Sequence, residues 1–207
     1  MSEIQTIITK GEGQQLAFEL RIDDKRKTAR TLAAFANTSG GKLLIGVKDN
    51  GKLKGVDPEE EFQIVEGVVQ AFSKPELKFE SKVWKEGHHL ILEIDVAKSD
   101  VKYKALDEEG EWKYYVRAND HTLVSNKILE RIWKLTKHGQ SKPREFDETT
   151  GAFIKIINDE SPLRISMLYK KSIMKMTEVD KLLAQLVYWG IVEMQMTEDG
   201  TYYLMVE

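Results

Sequence analysis

The chain has 207 residues, 31 Lys+Arg against 34 Asp+Glu, a net charge of -3 and no cysteine. That length suits one large domain or two small ones and buries roughly 70% of the unfolded surface without covalent staples. The composition excludes disulfides, thiolate metal sites, cysteine nucleophiles and a uniformly basic nucleic-acid binder, but leaves room for a local basic patch. No run approaches the ~18 apolar residues of a membrane span. The opening MSEIQTIITKGEGQQ lacks the basic flank and apolar core of a signal peptide. A cytoplasmic protein with no membrane partner is the expectation.

In chain order, Leu16–Ile22 alternates as a half-buried strand. Asp23 or Asp24 caps a helix KRKTARTLAAFANT with an apolar stripe at Ala29, Leu32, Ala33 and Ala36. Lys25, Arg26, Lys27 and Arg30 occupy its first turns, the end where the helix dipole disfavours cations. They read as a solvated face or as an anion-facing one. KLLIGVKDNGKLKGV reads as a hairpin turning at Asn50-Gly51. Pro58–Phe72 is an amphipathic helix. Two strand pairs follow, KFESKVWKE with HHLILEIDV and VKYKALDE with EWKYYVRA, and then a helix SNKILERIWKLTKHG ended by Gly139.

Residues 1–140 are thus expected to form one α+β domain with a mixed sheet and flanking helices. The polar stretch around Pro143, residues 141–148, reads as a linker. In residues 149–207 three short helices precede two strands joined at Glu198-Asp199-Gly200, the order of a small winged helix-turn-helix domain. From residue 141 onward the chain holds 8 Lys+Arg and 11 Asp+Glu. Glu178 and Asp180 lead the helix that would read a DNA groove, which disfavours phosphate contact. Met167, Met174, Met176, Met194, Met196 and Met205 suit core filling or an adaptable contact surface, so a homodimer is a further expectation.

The string Ala-Phe-Ala-Asn-Thr-Ser-Gly-Gly (residues 34–41), with the following apolar strand and Gly46-Val47-Lys48-Asp49, resembles the Schlafen-type AlbA-like domain. Glu12-Gly13-Gln14-Gln15-Leu16 with Phe18, and Tyr114-Tyr115-Val116-Arg117 with Thr122, are similar to two flanking segments of that family. The resemblance covers roughly residues 10 to 138 and implies DNA or RNA binding and transcription regulation. The residues expected to contact nucleic acid are Lys25, Arg26, Lys27, Arg30, Asn37, Thr38, Gly40, Gly41, Lys42 and Arg117. Asn37 and the glycine pair are expected to turn the helix end through positive φ, with amides at Asn37–Gly41 available to a phosphate.

Some animal members are metal-dependent endoribonucleases that use three carboxylates. Carried over, these are Glu12 and Asp49, while the second glutamate position holds Ala17. Glu19, two residues on, is the nearest substitute. Alanine offers no ligand, so robust catalysis and a bound metal are not expected; a nuclease on Glu12, Glu19 and Asp49 is the alternative, and a protein-interaction module is another. No Gly-x-x-x-x-Gly-Lys-Ser/Thr loop occurs, and no cofactor is expected.

Overall fold

The computed structural model describes residues 2–206. It divides into two compact units, Met1–Val124 and Ser125–Glu207. The first opens on a helix that the sequence pattern does not announce, α1 (Glu3–Ile8). Ser2 Oγ accepts the Gln5 N–H at 3.2 Å and Gln5 Oε1 accepts the Ser2 N–H at 3.3 Å, a reciprocal capping box. Ile4 and Ile8, one turn apart, are its buried face.

Strand β1 (Leu16–Glu19) leads through α2 (Lys25–Asn37) to β2 (Gly41–Ile45), which pairs parallel with β1. Then come α3 (Pro58–Phe72), β3 (Ser73–Lys74), β4 (Glu80–Glu86) and β5 (His89–Val96). The unit closes with β6 (Lys104–Leu106), β7 (Trp112–Ala118) and β8 (His121–Val124). One sheet has the order β1-β2-β5-β4 and the other β3-β6-β7-β8. The expected hairpin over residues 42–56 does not form an extended ladder; its arms meet at the bridge Val47–Leu53, with Lys48 N–H donating to Lys52 O at 3.0 Å and the Lys54 and Gly55 N–H groups to Gly46 O at 2.9 and 3.0 Å. The returning arm instead crosses toward β5, where Val56 N–H donates to Leu90 O at 2.9 Å. Gly46 and Gly55 permit that crossing, since a Cβ on Gly46 would lie 3.2 Å from the Gly55 Cα.

Period-two alternation explains how the first sheet is covered on both faces. Ala17, Leu43, Ile45, Leu92 and Ile94 join one cluster with α2 and α3, whereas Leu16, Phe18, Leu44 and Ile91 join Ile4 and Ile8 of α1. Helix α2 is buried on nearly every side from Thr28 to Asn37. It packs against β6 and β7 as well as α3 and β2. Small residues such as Ala29, Ala33, Ala34 and Ala36 make that close fit possible.

The second unit holds α4 (Lys127–His138), α5 (Glu148–Glu160), β9 (Leu163–Arg164), α6 (Ile165–Lys171) and α7 (Met176–Tyr188). It ends with β10 (Val192–Thr197) and β11 (Gly200–Met205). These last strands form an antiparallel sheet with β9, in the order β10-β11-β9. The division between units therefore falls before α4 and not at residue 140. The reason is apolar: Ile128, Ile132 and Leu135 share a cluster with Phe153, Leu183, Leu186 and Val192. Residues 139–147 carry no helix or strand. They are tethered at their ends, by Trp189 Nε1–H donating to Gln140 O at 3.1 Å and by Phe146 lying 6.1 Å from the Trp189 ring. Among the described residues no helix is long and apolar enough to cross a membrane.

Candidate nucleic-acid interface

The Ala-Asn-Thr-Ser-Gly-Gly corner is a junction of side-chain and backbone hydrogen bonds that tie neighbouring segments together. Asn37 is 4% exposed. Its amide nitrogen donates to Tyr103 O and Tyr115 O, both at 2.8 Å, and its Oδ1 accepts the Tyr103 N–H at 2.7 Å. Thr38 Oγ1 accepts the Arg117 N–H at 2.9 Å. The Thr38 and Gly40 amides both donate to Phe35 O, at 3.1 and 2.8 Å. Asn37 stays within α2; the positive φ belongs to Gly40, at +75°. A Cβ there would sit 2.9 Å from Lys98 N and Val96 O, and one on Gly41 would meet Phe35 Cδ1 at 2.4 Å. Both glycines are demanded by packing.

Arg117 ties the same corner to the start of β1. The residue is 6% exposed, and its guanidinium carbon lies 5.3 Å from the Phe35 ring centroid. Nε–H donates to Gly13 O at 3.1 Å, Nη1 to Thr122 Oγ1 at 3.1 Å and Nη2 to Leu16 O at 3.4 Å. Gln14 adds a second clasp, donating to Arg117 O at 2.8 Å and accepting from Asn119 N–H at 2.8 Å. Glu12 Oε1 accepts the Phe18 N–H at 2.9 Å and closes the loop before β1. The three motif segments thus converge because they hydrogen-bond one another. Gln14 and Thr122 join this set although periodicity gives no sign of them.

The expected basic patch is partly neutralised. Arg26 Nη1 donates to Asp107 O at 3.1 Å and Glu108 O at 2.7 Å. Arg30 pairs with Glu108 at 3.4 Å and Asp24 at 4.0 Å. Lys42 is held by Asp95 at 2.8 Å and by the buried Glu93. Asp24 Oδ1 accepts the Lys27 N–H at 2.9 Å, so the α2 N-terminus has its own anion. Lys25 and Lys27 remain as exposed side chains.

A polar cleft of about 400 Å³ lies between β1, α2 and β7. Glu12, Glu19, Lys27, Arg30, Thr31, Tyr115, Arg117, Asp120, His121 and Thr122 line it, with Ala17 and Phe18 behind. Burial pushes the Glu19 carboxyl up from 4.5 to about 7, against the Thr28 hydrogen bond at 3.0 Å and the charge of Lys27. Burial likewise lowers the Arg117 guanidinium, which Glu12 and Asp120 oppose through space. Asp49 does not line this cleft; it is exposed in the turn closed by Gly51 N–H on Lys48 O at 2.7 Å. Glu12 and Glu19 thus share a cleft that Asp49 does not reach. Among the described residues, no group of three or more His, Asp and Glu side chains is arranged to hold a metal ion.

In the second unit the acidic start of α7 is less acidic than its sequence. Asp180 is 4% exposed, paired with Lys127 at 2.9 Å and hydrogen-bonded by the Tyr169 hydroxyl. Glu178 accepts the Lys175 backbone N–H at 3.0 Å.

The first unit is therefore a mixed α+β domain whose identifying residues are those that lock β1, α2 and β7 together. The chain belongs to the Schlafen, AlbA_2 family, whose sequence model matches residues 12–125. Two solved structures are similar to it. One is the DIP2311 protein of Corynebacterium diphtheriae, at 14% identity and TM-score 0.44, covering 91% of this chain. This chain spans only 34% of that protein. The other is the N-terminal domain of a Nitrosomonas europaea protein described as ATP-dependent DNA helicase RecG-related. It shows 19% identity and TM-score 0.41, covering 72% of this chain and 96% of its own. No curated protein matches the sequence.

Proposed function

We propose that the protein binds nucleic acid through its first unit, as a regulator-type module without robust catalytic activity. The observation that carries this reading is the polar cleft, where Lys27, Arg30 and Arg117 meet hydroxyls of Thr31, Tyr115 and Thr122. Cations beside neutral donors are the groups that hold sugar–phosphate backbone. Membership of the Schlafen, AlbA_2 family supports the reading. The contact set is Lys25, Lys27, Arg30 and Arg117; Asn37, Thr38, Gly40, Gly41 and Lys42 serve the fold.

The second unit reads as a winged helix, supported by the order α5, β9, α6, α7, β10, β11 and the pairing of β9 with β11. Its α7 offers Lys181 without the opposition of Asp180, so a groove contact there is secondary rather than excluded. Gel shifts with single-stranded RNA, duplex DNA and tRNA, each with and without manganese, test the whole reading. Binding without cleavage is expected, because Ala17 supplies no ligand atom. Cleavage abolished by both Glu12→Ala and Asp49→Ala would replace this reading with the nuclease one.

A further inference from the structure

The cleft holds a guanidinium that, among the described residues, hydrogen-bonds no carboxylate. Arg117 is buried as a residue while lining the cleft, yet its guanidinium hydrogen bonds go to neutral oxygens, those of Gly13, Leu16 and Thr122. Glu12 and Asp120 act on it only through space. A buried cation without a contacting anion is costly. The side chain is also held rigidly, by three donors, by the Phe35 ring and by backbone bonds to Thr38 and Gln14. Of its five N–H groups, three are engaged in these bonds. Thr122 Oγ1 accepts from Arg117, which leaves its own proton to donate. Glu19 lines the same cleft, its carboxylate accepting from the Thr28 hydroxyl and resting near Lys27.

We propose that the cleft seats one phosphodiester group of a nucleic-acid strand, with Arg117 as its fixed cation and Thr122 as a neutral donor, and that the Glu19 carboxylate opposes occupancy of the seat. This rests on the nucleic-acid reading above and adds one specific site and one antagonistic residue to it. A preorganised cation needs no reordering to receive an anion. When ionised, the Glu19 carboxylate in the same cleft repels that anion in addition to Glu12 and Asp120, so occupancy is a balance of these charges against Arg117. Glutamine keeps the size of Glu19 and an oxygen for Thr28 while removing the charge.

The test is fluorescence anisotropy of a labelled oligouridylate at pH 8.5, above the raised Glu19 value of about 7, in EDTA, which removes divalent cations from the comparison. Glu19→Gln should tighten binding by about three- to tenfold, the scale of removing a partly screened like charge. Glu60→Gln makes the same net-charge change on the exposed start of α3 and should stay within about twofold of wild type. Thr122→Val should weaken binding by about fivefold, as expected for the removal of one hydrogen bond; should that variant unfold, the glutamate pair decides. Wild-type binding that Glu19→Gln fails to tighten would overturn the seat and leave the nucleic-acid reading standing. Equal gains from both glutamine variants would reduce the effect to net charge and also overturn it. Absence of binding by every form would overturn both.

Discussion

At the residue scale, Asn37 and Glu19 make opposite contributions. Asn37 satisfies three backbone groups of neighbouring segments at once. Removing a side chain that leaves buried polar groups unpaired costs roughly 1–3 kcal/mol per group. Asn37→Ala should therefore lower unfolding stability by about 3 kcal/mol in urea denaturation, and a change below about 0.5 kcal/mol would deny it this role. Glu19 instead carries a burial cost that depends on pH. Its folded value is raised to about 7 from 4.5, so between those values the native state keeps a proton that the unfolded chain has released. Stability from this group is full below about pH 4.5 and falls away as pH rises to about 7. Glu19→Gln should gain on wild type across that window, by up to about 3 kcal/mol, and hold the gain above it. A stability difference that does not vary with pH would contradict the burial argument.

Elements show why the sequence is readable in some places and not in others. The amphipathic stripe of α3 and the boundaries of α2 are legible, because caps and apolar spacing are local. The hairpin expected at residues 42–56 fails for a non-local reason. Asn50-Gly51 does turn the chain, but β2 finds better partners in β1 and β5. Helix α4 is legible as a helix and not in its allegiance, since Ile128 packs with Phe153, Leu183 and Val192, all far along the chain. The site follows the same rule. The motif residues are visible, whereas the fact that Asn37 and Thr38 face inward depends on Tyr103, Tyr115 and Arg117. Between α4 and α5, Gln140 and Phe146 are both tied to Trp189. Limited proteolysis should accordingly cut first between Ser141 and Arg144, within the exposed stretch those tethers leave. First cuts inside Met1–Val124 would contradict the division into units.

For the whole molecule, net charge misleads less than the count of individual cations. Arg26, Arg30, Lys42 and Arg117 are engaged by the fold, as are Asp180 and Glu178. What faces solvent differs from what the sequence counts. On the second unit Ile173 is 96% exposed and Met176 62%, with Met167 also outward. Such an apolar surface is the physical basis for expecting a homodimer. Light scattering should show association at micromolar concentration that Ile173→Lys abolishes; a monomer throughout would count against it. The central claim is that the first unit holds the nucleic-acid backbone, and salt-dependent binding tests it most directly. Lys25→Ser with Lys27→Ser removes the exposed cations beside the cleft while sparing every bond that holds the corner. That pair should reduce the magnitude of the log K against log salt slope by about 0.7–0.9 for each phosphate no longer neutralised, almost equally across base sequences. Replacing Lys170, Lys171 and Lys181 should change it far less. The contradicting result is a slope unchanged by the first pair and reduced by the second set, which would assign binding to the C-terminal unit.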